Sequence, residues 1–583
     1  MDKQRVVIIG AVALGPKVAC RLKRLKPQDE VIMIDQDEHI SYGGCGIPYF
    51  ISGDISEVRE LMSTSFHMER TPQFFEDAKD VRVRTRTRAV AIDRSARTVR
   101  IRDLETGREE DLAYDKLVLA MGSRPNRLPI PGADLPQVMS VSNLRSAIDI
   151  KQRISKGEVD KAVIIGAGAI GCEMAEALSD LWGIETTMVE IADQVLPGIL
   201  DNNLARMVQQ HMEEKGITIH LNESAREIRK NDNGESALQL VTSRGELDAD
   251  LVITAVGIQP NSDLARAAGL VVSPKGTIVV NRRMQTSDPN IYAGGDCVEV
   301  MHLVTGKPTF FPQGSLANRQ GRVIGTNLAG GFAAFNGVVG SFSIKIFDLA
   351  VASTGIPLHT ALSEGFDAIR TLVVQADRAH FYPTQDLMYL QLIVDRKTRR
   401  ILGAQGLASS GDALVGRINS IAAMLPYRPG IDELSNLEVA YSPPYASAMD
   451  IANALGNTAE NVLDGYTTTM EVDEFEKCFL EGESDQCVCL DVRGPANAAP
   501  YVAHFGKRWV NIPQETLNRR LDEVPKDKRL IVVCNSGVRS YEAIRQLSCA
   551  GPCDVINLQG GVAALKKSGL LHFSDEAESD AGE

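Results

Sequence analysis

Residues 161–178 read KAVIIGAGAIGCEMAEAL, and residues 5–22 read RVVIIGAVALGPKVACRL. Each opens on an apolar run of strand length, breaks at glycines and resumes with apolar residues at helical spacing. Strand, glycine turn and helix in that order form the phosphate-cradling half of a doubly wound α/β domain. IIGAVALG and IIGAGAIG are in effect an internal repeat, with first glycines at Gly10 and Gly166. Two such units predict two dinucleotide sites on two doubly wound domains.

The second copy is complete, with Gly166, Gly168 and Gly171 in a GxGxxG pattern. Only glycine permits the tight turn and the close approach of backbone to a pyrophosphate, whose charge then rests on the helix N-terminus. Glu190 ends the strand ETTMVE nineteen residues after Gly171, where a carboxylate accepts from a ribose 2′-hydroxyl. The following IADQVLP has no arginine to neutralise a 2′-phosphate, which predicts NADH over NADPH. In the first copy Val12 replaces the middle glycine, but Gly10 and Gly15 remain and Asp35 lies twenty residues beyond Gly15.

Outward from these loops, 583 residues are too many for one core, so several domains are expected. The composition, 44% apolar and 24% charged, is that of a globular protein. A net charge of −14 argues against nucleic acid and anionic membranes as partners. No apolar run spans a bilayer, and MDKQRVVIIG enters a strand without an export signal. Ten cysteines are too sparse for a disulfide scaffold, so reduced thiols and a cytoplasmic location are expected. VRVRTRTRAVAID, residues 81–93, alternates strictly and reads as one strand whose arginine face is in solvent. Past residue 332 the glycine fingerprints stop and an α+β pattern follows. GNTAENVLDGYTTT, 456–469, is polar and turn-rich, so a linker is expected at 456–467. A compact unit with the strands CVCLDV, RLIVVC and CDVINL comes next, then an acidic tail, 573–583, read as disordered. Cys478, Cys487, Cys489, Cys549 and Cys553 do not form the paired CxxC set of a zinc site, and no metal is expected.

YDKLVLAMGSRPNRLPIPG (114–132) and TSDPNIYAGGDC (286–297), with the two glycine loops in order, resemble the four signatures of FAD-dependent pyridine nucleotide–disulfide oxidoreductases. The resemblance covers about the first 455 residues. It implies FAD held by Gly10, Gly15, Asp35, Gly122 and Asp296, with Asp296 on the ribitol, and NADH held by Gly166, Gly168, Gly171, Glu190 and Gly257. Met121 stands where the family usually has threonine.

SYGGCGIPYF, 41–50, carries one cysteine, Cys45. Relatives with an internal redox disulfide have a second cysteine five positions on; here that residue is Phe50. The loop instead resembles the single-cysteine branch: CoA disulfide reductases, NADH-dependent persulfide reductases, and NADH oxidases or peroxidases. There the cysteine alternates between thiolate and a mixed disulfide or sulfenic acid. Oxidases and peroxidases typically have a histidine in the first glycine loop, where Ala13 stands here. GAVALG is closer to the CoA disulfide reductases. The helix after it carries Arg21, Lys23, Arg24 and Lys26; the resemblance points to Arg24 for CoA phosphates, and a solvated helix face accounts for these charges equally well. It also implies Ser41, Asn318 and Arg322 beside the substrate. Tyr441, in EVAYSPPYASAMD, matches a tyrosine that the family's partner subunit places beside the cysteine as a proton donor; an interior packing role competes. The family's second tyrosine is replaced by Phe381, next to Tyr382, and its asparagine before the cysteine by Gly44. Both changes widen or depolarise the pocket and weaken the case for CoA disulfide itself.

VVCNSGVRSYEA places Cys534 at a strand end, before a loop closing on Gly537 and Arg539 and then a helix. Inward-pointing N–H groups at a helix N-terminus stabilise an anionic sulfur. The stretch resembles a rhodanese loop, and LDVRGP, NIP and LQGGVAAL occur in rhodanese order across 468–572. This implies a sulfane sulfur on Cys534. The expected architecture is α/β: an FAD-binding domain (1–148 and 276–331), an NADH-binding domain (149–275), an α+β dimerisation domain (332–455) and a C-terminal α/β rhodanese domain (468–572). The expected activity is NADH- and FAD-dependent reduction of CoA-type persulfides or polysulfides by a homodimer, coupled to sulfur transfer, with CoA as substrate or carrier. The alternatives are a CoA disulfide reductase, an NADH oxidase, and a non-catalytic sulfur carrier or redox sensor.

Overall fold

The structure is a computed structural model that describes residues 3–231, 236–482, 487–548 and 554–571. The chain falls into two compact units, residues 1–193 with 217–338 and residues 194–216 with 339–583. The acidic tail, Cys549 and Cys553 lie outside the described residues.

In the first unit, the apolar run Arg5–Ile9 is the middle strand of a parallel sheet ordered Ile291–Ala293, Lys116–Leu119, Arg5–Ile9, Glu30–Ile34 and Arg82–Arg84. Val6, Val7 and Ile8 are fully buried, as expected for a strand covered on both faces. The repeat builds a second parallel sheet ordered Thr218–His220, Glu185–Val189, Lys161–Ile165, Leu251–Thr254 and Val138–Met139. Register sets the outcome at each strand end. Ile9 pairs with both Ile34 and Leu119, so Gly10 leaves the sheet between Asp35 and Ala120. Ile165 likewise pairs with Val189 and Thr254, so Gly166 leaves beside Glu190.

Two details differ from the sequence expectation. Residues 81–93 are two strands, not one: Arg82–Arg84 edges the first parallel sheet, and Thr87–Asp93 starts a separate antiparallel sheet. Arg86, at φ +49°, turns the chain between them, and alternation alone carries no mark of a left-handed residue. Val138–Met139 precedes residue 149 yet pairs with the second sheet.

In the second unit an antiparallel sheet runs in the order Phe342–Ile346, Leu349–Gly355, Ile401–Ala408, Leu387–Asp395 and Ala368–Ala376. Helix Asn202–Glu214 belongs to this unit and packs its Asn203 amide onto Gln391 (2.6 Å). A parallel sheet follows, ordered Thr469–Met470, Val555–Leu558, Arg529–Val533, Cys487–Asp491 and Trp509–Asn511. The stretch expected as a turn-rich linker is largely helix Ile451–Leu463, capped by Asp450 on Ala452 N–H (3.0 Å). Ala452, Leu455, Gly456 and Ala459 are its buried face. At Gly456 a Cβ would lie 2.7 Å from Ser435 N. Small buried residues at helical spacing among polar ones hid the helix from a composition argument.

Candidate functional site

The two glycine loops have the same geometry. Gly10 (φ +108°) and Gly166 (φ +107°) need the left-handed region. A Cβ on Gly10 would lie 2.1 Å from Ala120 O, and one on Gly166 2.6 Å from Ala255 O. Gly15 and Gly171 each seat the helix on the loop, since a Cβ there would lie 2.0 Å from the oxygen of Gly10 and Gly166 respectively. Gly168 differs: a Cβ would meet nothing within 4 Å. That open side explains how Val12 is accommodated at the matching place in the first loop.

The strand-end carboxylates brace these loops. Asp35 accepts from Ala11 N (2.7 Å) and Asp37 N (2.9 Å); Glu190 accepts from Ala167 N (2.6 Å) and Ala192 N (2.8 Å). Burial pushes the Asp35 carboxyl up despite its backbone donors. Asp296 is half-buried and likewise pushed up by burial, and it accepts from the Ser123 hydroxyl (3.5 Å). Gly122 (φ +63°) opens the loop before Ser123, and Asn261 donates to Met121 O (2.9 Å). Gly257 (φ +86°) accepts from Asn126 N (2.9 Å). A glycine turn at a helix N-terminus and a half-buried carboxylate at Asp296 fit a bound flavin dinucleotide.

Cys45 lies in a short 3-10 turn, Gly44–Gly46, ahead of helix Ile47–Ser52. The residue is exposed, with its sulfur turned to helix Gly314–Leu328: a Cβ on Gly314 would lie 3.7 Å from Sγ. Desolvation raises the thiol pKa and the Glu173 charge adds to it, against the lowering effect of the Gly314 N–H. Asn318, one turn along, is exposed and donates to Gly314 O (2.9 Å), and Arg322 follows on the same exposed face. Ser41 is buried with φ +50°, and its N–H donates to Ala11 O (2.7 Å), tying the Cys45 loop to the first glycine loop.

Arg24 is exposed in the last turn of helix Leu14–Leu25. Lys23 serves neither of the two readings of that helix, phosphate binding or a solvated face. It is buried, and its ammonium binds Asp29 O (2.9 Å) and the Asp80 carboxylate, which spends its charge on structure. Arg21 is likewise engaged with Thr326 Oγ1 (3.0 Å).

Three groups had no sequence signal, because the burial of Glu173 and the partners of Lys151 and Trp182 are decided by tertiary packing. Glu173, on helix Ala169–Ser179, has its carboxyl pushed up to about 7 by burial and then by Glu176. Lys151 binds Phe50 O (2.5 Å), Ile55 O (3.2 Å) and Ser56 O (3.4 Å). Trp182 Nε1 donates to Ile51 O (2.8 Å). The last two cap the far end of the Cys45 helix.

In the second unit Tyr441 is 53% exposed, on a segment without helix or strand. Cys534 follows strand Arg529–Val533 and is buried. Its sulfur accepts from Gly537 N (3.1 Å) and lies 3.4 Å from Ser540 Oγ, which donates to Asn557 Oδ1 (2.7 Å). Arg539 is half-buried in the first turn of helix Val538–Leu547. The buried pair Asp491–Arg493 (2.7 Å), which also takes the Trp509 indole N–H (2.9 Å), anchors the adjacent strand. Among the described residues no group of three His, Cys, Asp or Glu could hold a metal ion, and no helix is long and apolar enough to cross a membrane.

A family model described as pyridine nucleotide-disulphide oxidoreductase matches residues 4–312, its dimerisation domain matches 341–453, and a rhodanese-like domain matches 475–568. A solved NAD-dependent persulfide reductase from A. fulgidus is 39% identical with TM-score 0.90, over 96% of this chain and 99% of that one. The solved reduced Bacillus anthracis CoADR-RHD is 33% identical with TM-score 0.87, over 97% and 98%. An NAD(P)H sulfur oxidoreductase (CoA-dependent) from Pyrococcus furiosus is 34% identical over 451 residues, 77% of this chain and 98% of its own. With both loops shaped for dinucleotides and these matches along its length, the chain belongs to the FAD- and NAD(P)H-dependent pyridine nucleotide-disulphide oxidoreductases and carries a rhodanese-like domain.

Proposed function

We propose that this oxidoreductase reduces CoA-type persulfides with NADH through Cys45 and transfers sulfur through Cys534. The observation that carries the proposal is a single cysteine turned to the N-terminus of helix Gly314–Leu328, with the buried Phe50 where a resolving cysteine would stand. The oxidised partner of Cys45 therefore comes from a substrate. Names of relatives support a persulfide or CoA-linked sulfur substrate.

Gly10, Gly15, Asp35, Gly122 and Asp296 would hold FAD, and Gly166, Gly168, Gly171, Glu190 and Gly257 would hold NADH. The Glu190 carboxylate favours a free ribose hydroxyl over a 2′-phosphate. Bound FAD supplies two-electron exchange between a nicotinamide and the sulfur on Cys45. Cys45 attacks the carbon-bound sulfur of R–S–SH, forming a mixed disulfide and releasing HS⁻; two electrons then return Cys45 and R–S⁻. The sum is NADH + H⁺ + RSSH → NAD⁺ + RSH + H₂S. The Gly314 N–H stabilises the anionic sulfur of Cys45. Ser41, Arg24, Asn318 and Arg322 line the approach of a phosphate-bearing thiol. The chain acts as a homodimer through its dimerisation domain, with Tyr441 as proton donor to the thiol leaving the partner subunit's Cys45. At the second site, the Gly537 N–H and Arg539 hold an anionic persulfide on Cys534. Cysteines that are all free among the described residues suit a reducing cytoplasm.

The test is anaerobic NADH oxidation with CoA persulfide, CoA disulfide and polysulfide, comparing wild type, Cys45→Ser and Cys534→Ser. Persulfide is expected to be the best acceptor, with sulfide released, no turnover in Cys45→Ser and impaired turnover in Cys534→Ser. Preference for CoA disulfide with a silent Cys534→Ser would overturn the coupling.

A further inference from the structure

The loop that presents Cys534 is held on two sides by elements that precede the rhodanese-like domain, a strand of the dimerisation domain and helix Ile451–Leu463. On one side stands Gln559, buried after strand Val555–Leu558. Its side-chain oxygen accepts from Leu372 N (2.6 Å) and its amide donates to Thr469 Oγ1 (3.1 Å). Leu372 is on Ala368–Ala376, the edge strand of the antiparallel sheet, whose outward N–H groups need a partner. Gly560 and Gly561, both with positive φ, fill the space behind. A Cβ on Gly560 would lie 3.0 Å from Leu372 Cδ2, and one on Gly561 2.3 Å from Cys534 O. Val562 N donates to Cys534 O (2.9 Å) and Ala563 N to Asn535 O (2.9 Å). The turn is thus clamped between the edge strand and the backbone of Cys534. On the other side, Tyr541 OH donates to Asn461 Oδ1 (3.1 Å) on helix Ile451–Leu463.

We propose that this edge strand and helix complete the sulfur-transfer site, with Gln559 and Tyr541 as positioning residues that fix the Cys534 loop against them. The inference rests on the sulfur-transfer reading of Cys534 given above. Neither side chain touches the sulfur. They act through the backbone that sets the Gly537 N–H 3.1 Å from Sγ, a distance at which small displacements weaken stabilisation of charge steeply.

The test uses the full-length flavoprotein, with thiosulfate as sulfur donor and cyanide as acceptor. Cys534–S⁻ takes the outer sulfur of thiosulfate and releases sulfite; cyanide then removes that sulfur as thiocyanate and restores the thiolate. Gln559→Met and Tyr541→Phe are expected to lower kcat for thiocyanate formation roughly tenfold while KM for thiosulfate and the rate of flavin bleaching by NADH stay as in wild type. A wild type that forms no thiocyanate overturns the sulfur-transfer reading and this inference together. An active wild type with both variants unaltered in kcat overturns the inference alone. If Gln559→Met does not fold, Tyr541→Phe, which removes one hydroxyl, decides.

Discussion

At the scale of single residues, the most consequential titratable group beyond Cys45 is Glu173. Its carboxyl is pushed up to about 7 by burial and then by the neighbouring Glu176. Between about pH 4.5 and 7 the folded chain keeps a proton that the unfolded chain has lost, so unfolding releases it and stability falls as pH rises through that window. The penalty is fully present above pH 7 and amounts to about 3 kcal/mol. Glu173→Gln should therefore raise the first thermal transition relative to wild type at pH 8 and leave it nearly unchanged at pH 4.5. An equal gain at both pH values would show that burial of the carboxylate is not the cause. Because ionised Glu173 also raises the Cys45 thiol pKa, the same variant should alkylate faster at Cys45 at pH 8 when treated with iodoacetamide.

At the scale of elements, the glycine loops separate steric need from ligand need. Gly166→Ala forces a Cβ to 2.6 Å from Ala255 O at φ +107° and should destabilise the second doubly wound domain. Gly168→Ala meets no protein atom within 4 Å, so its melting temperature should match wild type while the Kd for NADH rises at least about tenfold. Unchanged NADH affinity in Gly168→Ala would remove that loop from the nucleotide site. The Cys45 helix, only six residues long, depends on its C-terminal caps more than on propensity. Lys151→Met leaves the carbonyls of Phe50, Ile55 and Ser56 without their shared ammonium. The expected cost is about 2 kcal/mol, with faster hydrogen exchange over 47–56. Protection there equal to wild type would assign the capping to Trp182 instead.

At the scale of the whole molecule, the rhodanese-like domain is more than an appended module. Its residues Glu471, Glu476 and Gln559 bind Arg370 (2.7 Å), Arg206 (2.9 Å) and Leu372 N (2.6 Å) within the second unit. A chain cut after Leu463 would expose the edge strand Ala368–Ala376 and leave the nearly buried Arg370 without Glu471. Light scattering should then report self-association, since an unpaired edge recruits further strands. A truncated chain with the size distribution of the full-length protein would mean that the edge strand needs no cover. The extent of this docking was hidden in the sequence. GNTAENVLDGYTTT looks like a linker by composition, and only the packing of Ala452, Leu455, Gly456 and Ala459 makes its first half a helix.

What the sequence by itself determined is local and periodic. The runs VVII and AVII with their glycines, the carboxylates Asp35 and Glu190 about twenty residues on, and the loop from Cys534 to Ser540 each lie within one strand–turn–helix unit. The backbone geometry of such a unit follows from short-range sterics and hydrogen bonding, so both doubly wound domains and the rhodanese-like domain were legible. What only the tertiary structure decided is which distant groups meet. Gly314 stands beside Cys45, Lys151 caps the Cys45 helix, Lys23 turns inward to Asp80, and Gln559 seals a strand edge 187 residues away. Such contacts are set by the burial of whole faces and the pairing of the polar groups left among them, and no spacing along one chain encodes that pairing.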